Sequence, residues 1–312
     1  MRIGDQDARR VKFGNSALLQ EPNIKNGCGG LRDYQNLLWM THFKYGAHTL
    51  EQLEAQGMVR PRNRRQLEVG YDFLLRIRNE LHLQTKRLAD DIPKALQPKI
   101  AWQLGYKDRS PARRLEAFMR DLYTHMRAIH LITRMVERRL ALRPKPARRL
   151  PSLRSFFGGG KKTKTLDGFN IIDGELVPIS PRIFRDQPRR LMRVFLHAQQ
   201  RGLEFHPDLT QLLRDNVSLV DDDFIHDAEN HETFLEILNQ RGNVAPALRA
   251  MHEVDLLGRY IPEFGRMTCL VQHEFFHAYA ADEHTLVCLE KLDQVWDAAQ
   301  PLFAHYTHIL QD

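Results

Sequence analysis

The sequence predicts a mainly α fold: a helical bundle after a glycine-rich loop, a linker with a small β-hairpin, then a second all-α region. Three observations carry this. Apolar residues recur at three- and four-residue spacing on both sides of residues 144–166. That segment breaks the pattern with Pro144, Pro146, Pro151, the run Gly158-Gly159-Gly160 and dense positive charge, as a flexible linker does. Gly168 to Ile179 alternates instead, around Asp173-Gly174, a dipeptide that favours a tight hairpin turn.

Residues 1–30 read as turn and extended chain, and they are expected to need a sheet from elsewhere to pack on. From Leu31 the pattern turns helical through Tyr34, Leu37, Leu38 and Thr41, with Gly46 as a stop. A second helix opens near Pro61 and shows Leu67, Tyr71, Leu74, Leu75, Arg78 and Leu81 on one face. A third follows Ser110-Pro111, a capping serine with proline at the first helical position, and carries an apolar stripe from Leu115 to Val136. After the hairpin, three further stripes are expected. One is Leu191, Val194, Phe195 and Ala198; the second is Phe234, Leu235, Ile237 and Leu238; the third runs from Leu248 through Met251 and Val254 to Leu257.

Hydrophobic residues make up 42% and charged residues 27% of the 312, the balance of a soluble globular chain. No apolar run approaches the roughly 20 residues that cross a bilayer, and the start lacks a signal-type apolar core, so no membrane is expected as a partner. Cys28, Cys269 and Cys288 form no close pair and suit reduced thiols, which reads as cytoplasmic. Much of the positive charge crowds residues 134–164, ahead of an acidic cluster at Asp221, Asp222 and Asp223. Aromatics do not interleave with the cations as a stacking platform needs, so nucleic acid is not the expected partner.

Residues 23–35 hold the densest chemistry. Gly27, Gly29 and Gly30 sit before a helix, with Lys25, Arg32 and Asp33 around them. One reading is a glycine-rich helix start with solvated charges. The other is a loop whose amides meet an anion at the positive end of a helix dipole. Further on, His273-Glu274-Phe275-Phe276-His277 spells a zinc-protease pattern. Ala280 and Glu283 stand where a longer zinc motif needs glycine and a third histidine, so the match is read as accidental. On a continuous helix, His273, His277 and His284 would share a face.

The stretch EPNIKNGCGGLRDYQNLLW resembles the signature of the bacterial PII-protein uridylyltransferase and uridylyl-removing family. FLLRIRNELHLQTKR (73–87), QPKIAWQLGY (97–106), GFNIIDGEL (168–176), ALRAMHEVDLLGRYIPEFG (247–265) and QHEFFHAYAADEHTL (272–286) follow in that family's order. Two departures stand out: Cys28 replaces the usual proline, and Ala280-Ala281 replace Thr-Val.

The resemblance implies that residues 1–143 are the end of a nucleotidyltransferase domain with a helical bundle. It makes 144–166 a basic linker, and 167–312 a hairpin with the N-terminal part of an HD-type phosphohydrolase domain. It implies that Lys25, Gly27, Gly29, Gly30, Arg32 and Asp33 contact nucleotide, and that His284 is a metal ligand of an incomplete site with Asp282 and Glu283 nearby. His82 with Arg76, Arg78 and Arg87, and Glu21, are weaker candidates beside the nucleotide. The intact family enzyme uses Mg2+ and UTP, has a divalent metal at its HD site, and acts on a PII-type signalling protein. No Gly-Ser loop leading into an Asp-x-Asp pair precedes residue 23, and no adjacent His-Asp pair follows His284. The expectation is therefore a central part of such an enzyme: no catalytic residue assigned, no cofactor bound tightly, and both reactions silent in isolation. The rival expectation is a non-catalytic interaction protein that binds PII or a nucleotide with degenerate active sites.

Overall fold

The computed structural model describes residues 2–14, 16–142, 164–270 and 280–296. Fifteen α-helices and four short strands lie among them, so the fold is mainly α. The chain divides into two compact units, residues 1–145 with 268–284, and residues 146–267 with 285–312.

The first unit contains α1 (Arg2–Lys12), α2 (Leu31–Tyr45), α3 (Leu50–Ala55), α4 (Pro61–Thr85), α5 (Gln97–Gln103) and α6 (Pro111–Leu142). The 32-residue α6 is about 48 Å long at the usual helical rise, and it packs against α2, α4 and α5. Its apolar stripe, Phe118, Leu122, Met126, Ile129, Ile132 and Val136, meets Leu67, Leu74, Ile77 and Leu81 of α4 in one buried core. Burying each such side chain stabilises by roughly 1.5–3 kcal/mol. Pro61 takes the first turn of α4, where a missing N–H costs nothing. Gly46 closes α2 in a left-handed conformation, its N–H bonded to His42 O.

The start of the chain corrects the sequence expectation. Residues 2–12 form a helix rather than turn and extended chain. Its inward residues are Gln6 and Arg10, both buried. A helix that buries polar groups shows no apolar period, which is why the pattern missed it.

The second unit begins with a sheet rather than a lone hairpin: β1 (Lys164–Leu166), β2 (Phe169–Ile172), β3 (Glu175–Pro178) and β4 (Glu204–Phe205) in that spatial order. The first three pair antiparallel and β4 joins β3 parallel, with Leu176 opposite Phe205. Both antiparallel turns are Asp-Gly pairs at positive φ, Asp167-Gly168 and Asp173-Gly174, the geometry that matches strand twist in two-residue hairpins. The first strand falls inside the segment whose basic composition read as linker.

The second unit also contains α7 (Ile183–Asp186), α8 (Arg190–Arg201), α9 (Pro207–Asn216), α10 (Asp222–His226), α11 (Ala228–Leu238), α12 (Ala245–Glu253), α13 (Leu256–Tyr260), α14 (Pro262–Met267) and, from Thr285 on, α15 (Ala281–Gln294). Leu191, Val194 and Phe195 of α8 join Phe169, Leu176, Ile237, Leu248 and Met251 in one core. The acidic cluster resolves into a cap: Asp221 accepts the Phe224 N–H at 3.0 Å and starts α10. Asp293 of α15 likewise accepts the Val244 and Ala245 N–H groups at 3.1 and 2.7 Å, at the start of α12.

Candidate functional site

The glycine loop is a closed knot ahead of α2. Asn23 organises its entry. The Asn23 Oδ1 accepts the Lys25 and Asn26 N–H groups, and its Nδ2 donates to Asp91 at 2.7 Å. Main-chain bonds from Ile24 N–H to Asp90 O and from Ile92 N–H to Pro22 O tie this entry to residues 90–92.

Inside the knot the amides are spent on the protein itself. Gly27 N–H donates to Asn23 O, Gly30 N–H to Gly27 O, Leu31 N–H to Ile24 O and Arg32 N–H to Lys25 O. The Gly29 N–H donates to Asp33 Oδ2 at 2.8 Å. Gly27, Gly29 and Gly30 are buried. The reading in which these amides open onto an anion therefore meets a different arrangement. The glycines are there for close approach: a Cβ on Gly27 would sit 2.5 Å from Asn23 O, and one on Gly30 2.8 Å from Ile24 O.

Asp33 is the hub of a buried polar cluster. Beyond Gly29 it accepts Gln6 Nε2 at 3.2 Å, is ion-paired to Arg9, and lies 3.4 Å from Arg10. His130 Nδ1 is 3.8 Å away, beyond hydrogen-bonding distance. Glu137 of α6 completes the set, accepting Gln6 at 2.6 Å and Arg10 at 3.0 and 3.1 Å. Burial pushes the Asp33 carboxyl up, but His130, Arg10 and Arg9 overcome it and hold the group well below the usual carboxylate range. The group that the resemblance sets against nucleotide is thus a buried anion facing inward. It fixes the loop by accepting the Gly29 N–H. Gln6, Arg9, Arg10 and Glu137 were not found from the sequence; the one signal was Gln6 and Arg10 sharing a face at a spacing of four.

Cys28 lies in the same buried pocket, where desolvation and then the Asp33 charge push its thiol up to about 11. Cys288 is exposed. Since the thiolate is the reacting form, iodoacetamide at pH 8 is expected to label Cys288 readily and Cys28 only after denaturation. Peptide mass spectrometry would report the order, and early Cys28 labelling would contradict the buried placement.

The half-buried cations sit on the loop's outer side. Lys25 Nζ is 3.4 Å from Asp90, which also accepts Arg78 Nε at 2.8 Å. Burial raises the Asp90 carboxyl, but Arg78 and Lys25 prevail and hold it low. Arg32 lies over the Trp39 ring, 5.8 Å from its centroid. His82 Nε2 is 2.9 Å from Ala89 O, and Glu21 accepts the Lys94 N–H at 2.8 Å. The structure thus brings together Lys25, Arg78 and Asp90, with Asp33 on the opposite, inward side.

His273, Glu274 and His277 lie outside the described residues, and the described helix starts at Ala281. His284 is exposed in its first turn. Asp282 is buried and accepts the Cys269 N–H at 3.0 Å, so it works as a bracket for that turn. An adjacent His-Asp pair does occur earlier, at His226-Asp227, but Asp227 caps α11 and pairs with Arg189. No group of three or more His, Cys, Asp or Glu able to hold a metal exists among the described residues. Among the described residues, then, neither the loop's aspartate nor His284 is joined by the further ligands a divalent metal needs. No helix among the described residues is long and apolar enough to cross a membrane.

A helical unit wrapped on a carboxylate-braced glycine loop, followed by a helical unit seeded by a small sheet, defines the class: a mainly helical two-unit protein. Residues 1–137 match the family described as GlnD PII-uridylyltransferase, and residues 169–260 match the uridylyltransferase GlnD third domain. The chain belongs to this nucleotidyltransferase family.

Curated relatives of the same kind include the bifunctional uridylyltransferase/uridylyl-removing enzymes of Cereibacter sphaeroides, 31% identical, and Ruegeria pomeroyi, 32% identical. That of Azospirillum brasilense is 32% identical. Each match covers 94% of this chain and 31–32% of the relative. The chain spans about a third of the length of these relatives. No solved structure matches.

Proposed function

We propose that this chain is the central part of a bifunctional cytoplasmic enzyme that transfers UMP from UTP to a PII-type signalling protein and hydrolyses it off again. The observation that carries this reading is the pair of family matches, in order, on either side of the basic segment. In it, residues 1–143 contribute the end of the nucleotidyltransferase domain and its bundle, and 167–312 the entry to the HD-type phosphohydrolase region. Mg2+ and the HD-site metal would come with other parts of the enzyme, His284 being one incomplete ligand.

Lys25 and Arg32 are the groups with reach toward a triphosphate, while Gly27, Gly29, Gly30 and Asp33 set the position of those two cations.

The test is a chimera in which this chain replaces the matching stretch of the Azospirillum brasilense relative. Retained UTP-dependent labelling of PII is expected. A Lys25→Ala version is expected to lose about tenfold in kcat/KM, the size of one charge-assisted hydrogen bond. A folded chimera without either activity would refute the proposal.

A further inference from the structure

The two cations of the loop are tied to each other through the main chain, where Arg32 N–H donates to Lys25 O at 2.9 Å. What fixes the pair against the rest of the unit comes from α1, outside the glycine motif. Arg9 meets the loop near both of its ends. Its Nη1 donates to Asn26 O at 2.5 Å, and its Nη2 is ion-paired to Asp33. Asn26 follows Lys25 and Asp33 follows Arg32. One guanidinium therefore grips the residue next to each cation.

Arginine suits this place because its donors lie in one plane with fixed directions, whereas a lysine ammonium is a point charge that sets no such angle between two acceptors. Both terminal nitrogens of Arg9 are engaged within the protein and its side chain is 15% exposed. Any effect on a bound phosphate thus passes through the loop. The helix that carries Arg9 is itself anchored. Arg10 pairs with Glu137 of α6 at 3.0 Å, and Asn36 of α2 donates to Gln6 Oε1 at 3.2 Å.

Lys25 depends on this grip more than its own contacts suggest. Its ammonium is 3.4 Å from Asp90 and about a third of the side chain is exposed, so the main chain decides where it points. Asn23 Oδ1 holds the amides of Lys25 and Asn26 at 3.2 and 2.7 Å, and Arg9 holds the carbonyl that follows. The segment is gripped on both polar edges.

We infer that Arg9 is a positioning residue for phosphate binding by Lys25 and Arg32. The role rests on the function proposed above: Arg9 touches no substrate and acts through residues 25–26 and Asp33. A binding group displaced by about 1 Å can cost as much as a hundredfold in rate, so a modest loosening of the loop is enough to be read in activity.

Two measurements test this. In the intact chain, Arg9→Ala is expected to speed hydrogen exchange of the amides of residues 26–32 about tenfold, with those of α4 unchanged. In the chimera described above, the same change is expected to lower kcat/KM for UTP about five- to tenfold while the KM for PII stays within about twofold. Added guanidinium ion at millimolar concentration is expected to recover at least half of that loss by filling the vacated place. In a Lys25→Ala background the loss from Arg9→Ala is expected to shrink about threefold or more, because residues that act as a unit are not additive. Should Arg9→Ala fail to fold, Arg9→Lys keeps a charge opposite Asp33 and takes the same tests apart from the rescue. Unchanged exchange in the loop, full use of UTP despite a loosened loop, or an undiminished loss in the Lys25→Ala background would overturn the inference alone. A parent chimera silent in both reactions would overturn the function on which it rests.

Discussion

Gly29→Ala is expected to destabilise the first unit by about 3–4 kcal/mol, the sum of a backbone penalty and a collision. Gly29 has φ +71, a conformation that costs a residue with a Cβ roughly 1–2 kcal/mol. The added Cβ would also stand 1.8 Å from Met126 O and 2.6 Å from its carbonyl carbon. Those atoms are main chain in the middle of α6, so relief requires shifting the loop or bending the longest helix of the bundle. Overpacking of this kind costs about 1–3 kcal/mol, and more where backbone must move. Gly46→Ala supplies the control. Gly46 has φ +70 with nothing within 4 Å of a built Cβ, so only the backbone penalty of about 1 kcal/mol is expected there. Urea unfolding of both variants separates the two contributions. Equal losses would show that the loop does not press on α6.

The same loop marks where the sequence stopped being informative. Three glycines before a periodic helix marked the loop without saying what its amides meet, and α4, α6 and α8 followed from apolar spacing because their buried faces are apolar. Spacing reports only hydrophobic burial. The inward face of α1 carries Gln6 and Arg10, residues that read as solvent-facing until a buried carboxylate is placed opposite them. The destinations of the loop amides depend on residues 90–92 and on Asp33, pairings that leave no periodic trace.

Elsewhere the pattern overshot. Phe234, Leu235, Ile237 and Leu238 read as one stripe, yet only Ile237 is buried while Leu235 is 58% exposed. Four apolar residues within five positions span too wide an arc for one face. Strand β1 was masked by lysine-rich surroundings, although its turn, Asp167-Gly168, carries the same signal as the Asp173-Gly174 turn that was recognised.

The second large effect is expected at Asp33. Asp33→Ala is expected to cost about 3–5 kcal/mol at neutral pH, as when one partner of a buried ion pair is removed. The loss exceeds that of one bond because Arg9 and Arg10 would remain, with only Glu137 and the exposed Asp7 to offset them, and because the Gly29 N–H would lose its acceptor. Asp33→Asn keeps an acceptor of similar shape but no charge, so it isolates the electrostatic part and is expected to be the milder change. The pH dependence gives an independent check with a defined sign. The folded carboxyl is held below its unfolded value, so its contribution is fully present above the ordinary aspartate range near 4 and fades as pH falls toward the folded value. The stability gap between the parent and Asp33→Asn is therefore expected to be flat above about pH 5 and to narrow below about pH 4. Unfolding free energies measured from pH 7 down to 3 trace that gap. A gap that widens with acid, or a variant as stable as the parent at pH 7, would mean that the arginines of α1 do not depend on this carboxylate. The brace holding Lys25 and Arg32 in place would then have to lie elsewhere.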